Sequence, residues 1–218
     1  MNSITGAAAP AVTVVHFGTG CIVVDKPSGV LSVPGRGTHL QDCMAARLQA
    51  HWPDARVVHR LDMATSGLLM FARGAQAQRR LSDAFAQREV HKRYIAVVHG
   101  LVARDGGEID LPLITDWPNR PRQKVDASHG KPSITRWQVL SRDDAQHTTR
   151  LALTPLTGRS HQLRVHLLAL GHPILGDALY APSEVQARAP RLLLHAQALG
   201  FVCPLSGETL HIESAAPF

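Results

Sequence analysis

The chain has 218 residues, 44% of them apolar and only 5% aromatic, enough to bury one full core built mainly from aliphatic side chains, so a single large domain is expected. Lysine and arginine number 23 against 17 acidic residues, a charge of +6 with a pI near 9.8, which suits a polyanionic partner without identifying one. No apolar run is long enough to cross a bilayer, and the first basic residue is Lys26, after the small-residue stretch 6–11, so neither a membrane span nor a signal peptide is expected and a soluble, cytoplasmic protein is.

Residues 1–12 carry no pattern and read as a disordered N-terminal segment, leaving 13–218 as the domain. CIVV at 21–24 reads as a strand entering a turn at 25–29 (DKPSG), and 41–50 as a short helix stopped before Trp52-Pro53. SGLLMFA at 66–72 has the unbroken apolar character of a buried strand. Between 74 and 88, Ala77, Leu81, Ala84 and Phe85 recur every three or four residues, the pattern of a helix laying one face on a sheet. YIAVVH at 94–99, then 133–140, 149–153, 192–201 and 209–212, read as further strands, several rich in β-branched residues. Ahead of the fourth of these, Leu163, Leu167, Leu168 and Leu170 give a helix an apolar face, with Ser160 as its expected N-cap and Gly171 then Pro173 as its stop. The strands lack a regular strand–helix–strand rhythm, so the expected class is α+β, a large mixed, mainly antiparallel sheet with flanking helices. The conspicuous loop is DWPNRPRQK at 116–124, basic and broken by proline.

Two polar islands stand in apolar context. VVHRLDMATSGLLMFA at 57–72 places His59, Arg60 and Asp62 between apolar runs, and GRSHQLRVH at 158–166 places Arg164 one turn into a helix between Leu163 and Val165. A carboxylate or a guanidinium taken out of water needs a partner, so Asp62 and Arg164 are expected to pair. Two readings are open for such a pair: a core salt bridge, or a carboxylate kept ionised and oriented in a cleft as a nucleophile. A glycoside or nucleoside hydrolase would need a second acid, for which Asp177 is the nearest candidate. Three widely spaced cysteines, Cys21, Cys43 and Cys203, form no CxxC pair, and none of the thirteen histidines forms an i, i+4 pair with its closest partner, so no disulfide framework and no metal site are expected.

HRLDMATSG at 59–67 resembles the signature of the RluA-type pseudouridine synthases, KRYIA at 92–96 and GRSHQLRVH at 158–166 resemble that family's second and third motifs, and the likeness runs through roughly 20–215, including LPLITDWPNRPRQKV at 111–125 and ALGHPILGDALY at 169–180. The resemblance implies the pseudouridine synthase fold with a central catalytic cleft, Asp62 as the catalytic aspartate, Tyr94 as the active-site tyrosine that stacks on a flipped uracil, and Arg164 as the salt-bridge partner of the acid. It implies RNA as the partner and no cofactor, because isomerising a uridine involves no redox change. The likeness is nearest the dual-specificity subgroup, which implies a tRNA anticodon stem-loop and a 23S rRNA hairpin as substrates. The catalytic pattern begins near residue 20, so no S4-like module is expected, and a monomer that makes its own RNA contacts is. Arg60 is expected to fill the vacated stack or hold a phosphate, with structural support as the alternative, and His59 and Lys92 join it. Arg120, Arg122 and Lys124, beside Trp117, are expected to meet phosphates, with a solvated turn as the plain alternative.

Overall fold

The computed structural model describes residues 12–218, so the expected disordered segment at 1–12 lies outside the described residues but for Val12. The chain opens with strands β1 (Thr13–Phe17) and β2 (Cys21–Lys26), helix α1 (Met44–Gln49), strands β3 (Ala55–Val57) and β4 (Ser66–Arg73), and helix α2 (Gly74–Ala86). Strands β5 (His91–His99), β6 (Gly106–Asp110), β7 (Leu113–Thr115), β8 (Gln123–Val125), β9 (Ile134–Asp143) and β10 (Thr148–Pro155) follow. Helices α3 (Gln162–Ala169) and α4 (Ser183–Gln186) and strands β11 (Leu194–Val202) and β12 (Thr209–Glu213) complete it.

Ten strands form one mixed sheet in the order β1-β2-β4-β11-β5-β10-β9-β6, with β3 added to β4 and β12 to β11, while β7 and β8 make a separate hairpin. The architecture is the expected α+β one. Unbroken apolar runs make strands covered on both faces. In β2 and β4, Ile22, Val24, Leu69 and Phe71 pack with Met44 and Leu48 of α1, while Cys21, Val23, Leu68 and Met70 pack with Ala77 and Leu81 of α2. Farther along, Ala96, Val98, Leu151 and Leu153 of β5 and β10 carry Leu163 and Leu167 of α3. β4 and β11 pair in parallel, where Gly67 faces Ala196. Gly67 has φ of 107°, and a Cβ there would run into the Ala196 backbone, so only glycine lets the two strands close.

Two boundaries differ from the sequence reading. The first helix begins at Met44, not 41, because Leu31 bridges Cys43 and accepts the Met44 N–H at 2.8 Å, holding the preceding residues extended. The N-cap of α3 is His161 at φ 54°, not Ser160. No side chain caps the helix; instead the turn ahead of it is tied to its first residue, where Gln162 Oε1 accepts from Thr157 Oγ1 at 2.7 Å and from Arg159 N–H at 3.0 Å. Its other end is as expected: Gly171, at φ 86°, donates to Leu168 O and His172 to Leu167 O, both at 2.9 Å.

Candidate active site

Asp62 sits on the loop between β3 and β4, and its neighbours' carbonyls are each held by the segment 26–32. Ser32 Oγ donates to Leu61 O at 2.7 Å and accepts the Leu61 N–H at 3.0 Å. Ser28 Oγ donates to Ala64 O at 2.7 Å, and Gly29 N–H to Met63 O at 2.8 Å. Lys26, with no exposed surface, divides its ammonium among the carbonyls of Pro27, Val30 and Met63 at 2.9, 2.7 and 3.0 Å. Burial draws its pKa down to about 8, against the pull of Asp62. The aspartate is thus presented by a loop whose backbone has little freedom to move.

The opposite wall is the N-terminal turn of α3. Arg164, whose side chain is 4% exposed, directs Nη1 to within 3.8 Å of Asp62 Oδ2. Its tight pairing is elsewhere: Nε and Nη2 form a fork to Asp177 Oδ2 and Oδ1 at 2.8 and 2.5 Å. Asp177, 1% exposed, also accepts the N–H groups of Leu179 and Tyr180 at 3.0 and 3.2 Å. The expected Asp62–Arg164 pair is therefore one arm of a triad in which Asp177, not Asp62, neutralises the buried guanidinium at hydrogen-bonding distance. Gly176, at φ 72°, sits where a Cβ would strike the Arg191 backbone, which sets the approach of Asp177. With both oxygens occupied, Asp177 is a structural acid and does not fill the second-carboxylate role that a hydrolase needs.

Between these walls lies a cleft of about 1420 Å³ lined by Asp62, Tyr94, His161, Arg164, Arg60 and Lys92, with Trp117 and Arg120 at its rim. Arg36, Arg88 and Arg159 also line it, and Asp62 is the single acid among the described lining residues. Tyr94 projects from the centre of β5, opposite Leu153 and Ala196. Burial, with Asp62 nearby, holds its phenol well above the usual range, so it stays protonated at neutral pH.

The other expected contact residues divide by position. His59 lines the cleft, but its Nε2 accepts the Met70 N–H at 2.9 Å and its ring stacks on Phe85, with centroids 4.6 Å apart. Burial takes its pKa to about 3, which keeps the ring neutral and able to accept. Arg60 is exposed, and Lys92 is half-buried, with burial and Arg88 lowering its pKa. Arg120 lies over the 64%-exposed ring of Trp117, 4.5 Å from its centroid. Arg122 and Lys124 are exposed on the hairpin and outside the cleft lining, with Arg122 5.4 Å from the Tyr180 ring centre. Residues that the motif reading did not single out include Lys26, His161 and Tyr180. Among them, His161 stands inside GRSHQLRVH, and its signal was the polarity of the island itself. Among the described residues, no group of three histidine, cysteine, aspartate or glutamate side chains could hold a metal ion, and no helix is long and apolar enough to cross a membrane.

Residues 20–169 match the RNA pseudouridylate synthase family. The chain is 54% identical over 197 residues to the dual-specificity RNA pseudouridine synthase RluA of Yersinia pestis, covering 90% of this chain and 95% of that protein. It is 48% identical over 209 residues to the protein of the same name from Pasteurella multocida, covering 96% and 95%. Among solved structures, human RNA pseudouridylate synthase domain containing 1 superposes with a TM-score of 0.81 at 29% identity, over 98% of this chain and 86% of that one.

Proposed function

Since this chain belongs to the RNA pseudouridylate synthase family and isomerises uridine in RNA, we propose that Asp62 is its catalytic carboxylate, with Arg164 and Tyr94 as its partners in the cleft. The observation that carries this reading is the single acid of a cationic cleft, 29% exposed on a backbone held at the residues to either side. A carboxylate acting on a ribose or a uracil has to stay ionised, oriented and reachable. Arg164, itself anchored by Asp177, supplies a fixed positive charge 3.8 Å away, and the protonated Tyr94 phenol supplies a ring for the uracil to lie against.

In the reaction the bond from C1′ to N1 breaks, the uracil turns within the cleft, a bond forms from C1′ to C5, and the C5 proton is lost while N1 gains one. The formula is unchanged. Asp62 acts by attack at C1′, by attack at C6 of the base, or by removing the ribose 2′ proton; each route asks the same of its surroundings. A stacked base lies beyond the reach of a carboxylate, so the nucleotide is extruded into the cleft at a cost of a few kcal/mol. Arg60, His59 and Lys92 on the wall, Arg120 at the rim, and Arg122 and Lys124 along the hairpin form the proposed RNA contacts, and the exposed Trp117 face offers a stacking platform for an unpaired base.

The substrates we propose are the two that the motif likeness implies, a tRNA anticodon stem-loop and a 23S rRNA hairpin, and the dual-specificity names of the relatives support a pair of targets. We propose that the protein acts as a monomer, and RNA substrates of this kind support a cytoplasmic site of action. The decisive test replaces Asp62 with asparagine and follows tritium release from stem-loop RNA carrying C5-tritiated uridine. Turnover should fall by roughly a thousandfold or more while RNA binding persists. Appreciable turnover by a folded Asp62→Asn enzyme removes the assignment.

A further inference from the structure

His161 faces Asp62 from the other side, with Nε2 3.9 Å from Oδ1, while Arg164 faces Oδ2. Its ring lies edge-on to the buried Tyr180 ring, and Nδ1 is 2.7 Å from Tyr180 Oη. Tyr180 Oη accepts the backbone N–H of Gln123, on the hairpin, at 2.8 Å. With that contact made, the phenol has its own proton to give to Nδ1, and the imidazole proton then resides on Nε2, the atom that looks at the carboxylate. We propose that Tyr180 and His161 form a relay that presents one neutral N–H donor to Asp62, making His161 a positioning residue for the acid. The inference rests on the reading of Asp62 given above.

Three further features fit this role. His161 holds a left-handed backbone at φ 54°, strain that persists where surrounding contacts over-determine a residue. The groups around it are Asp62, Arg164, Asp177 and Tyr180; burial outweighs the two acids and lowers its pKa, while burial raises that of Tyr180, so both are neutral near pH 7. A neutral donor orients the carboxylate and leaves its charge available for reaction, whereas a second full cation on the same anion would blunt it. At 3.8 and 3.9 Å both donors stand just outside hydrogen-bond length, a spacing common for catalytic contacts in the absence of substrate.

The test compares kcat and KM on the tritiated stem-loop RNA for Tyr180→Phe, His161→Asn and His161→Gln. Phenylalanine keeps the ring beneath Arg164 and removes only the hydroxyl. Asparagine tolerates the left-handed backbone but is too short to reach Asp62, and glutamine restores an amide N–H at that reach. Tyr180→Phe and His161→Asn should each lower kcat by about tenfold to a hundredfold with KM held within about twofold. His161→Gln should recover much of the loss, and the Tyr180→Phe, His161→Asn double variant should be no worse than His161→Asn alone. Melting curves confirm folding for each protein. Wild-type kcat in the folded single variants, additive losses, or an effect on KM alone would overturn the relay. Asp62→Asn in the same assay separates the two readings: if it is inactive while the His161 variants keep full kcat, the relay alone fails, and if it is active both fall.

Discussion

Two aspartates share one guanidinium, and their surroundings divide the work between them. Asp177 is sealed in the core with four donors on its two oxygens, so its negative charge balances the interior cation. Asp62 stands half-open to the cleft and meets the same arginine only at 3.8 Å. Removing one member of a buried pair leaves the other charge uncompensated, so Asp177→Asn should lower stability by about 3–5 kcal/mol in urea denaturation. Asp62→Asn should stay within about 1 kcal/mol of the parent. Equal losses from the two would contradict the division. The acid at 62 was legible from sequence because HRLD lies between two apolar runs, and its arginine because GRSHQLRVH is a second such island. That Arg164 is held chiefly by Asp177 was not legible, since the two stand thirteen residues apart across a turn whose course Gly176 sets.

At the scale of elements, the long segments announced themselves and the three-residue ones did not. β4 and α2 carry enough residues for an apolar run or a 3.6-residue period to rise above noise, and both fall where the sequence places them. β3, β7 and β8 are three residues each and owe their existence to partners: Val57 to Phe71, Leu113 to Val125. The basic segment at 116–124 is accordingly the tip and return strand of a hairpin, not a free loop, and Gln123 joins it to Tyr180. Because Arg120, Arg122 and Lys124 are exposed there, replacing all three with glutamine should spare the fold. The slope of log affinity for stem-loop RNA against log salt should then become shallower by up to about 2, at roughly 0.7 for each single-strand phosphate that is no longer neutralised. An unchanged slope in a salt titration takes the hairpin out of the RNA footprint.

The whole molecule is organised about the parallel β4–β11 seam, which joins the half carrying α1 and α2 to the half carrying α3 and makes one continuous sheet. Asp62 leaves the first half just before that seam, while Tyr94, His161 and Arg164 come from the second, so the spacing of the cleft depends on how closely the seam shuts. Gly67→Ala places a methyl against the Ala196 backbone at a positive φ. It should cost about 2–4 kcal/mol of stability and reduce turnover even below the melting temperature, as circular dichroism and the tritium assay would show. A variant with parental stability would mean that the seam tolerates a side chain.

Sequence alone determined the α+β class, the main strands and helices, and the acid on which the chemistry is proposed to turn, because periodicity and a charged residue in apolar context are local properties. Tertiary structure decided which groups surround that acid. His161, Arg164, Tyr94 and Tyr180 come from a helix start, a central strand and a turn far apart in the chain, and Lys26 shapes the loop from β2, the strand beside β4. Periodicity says which face a side chain takes but not which strand lies beside it, and that neighbour relation is set only when the sheet closes in its register.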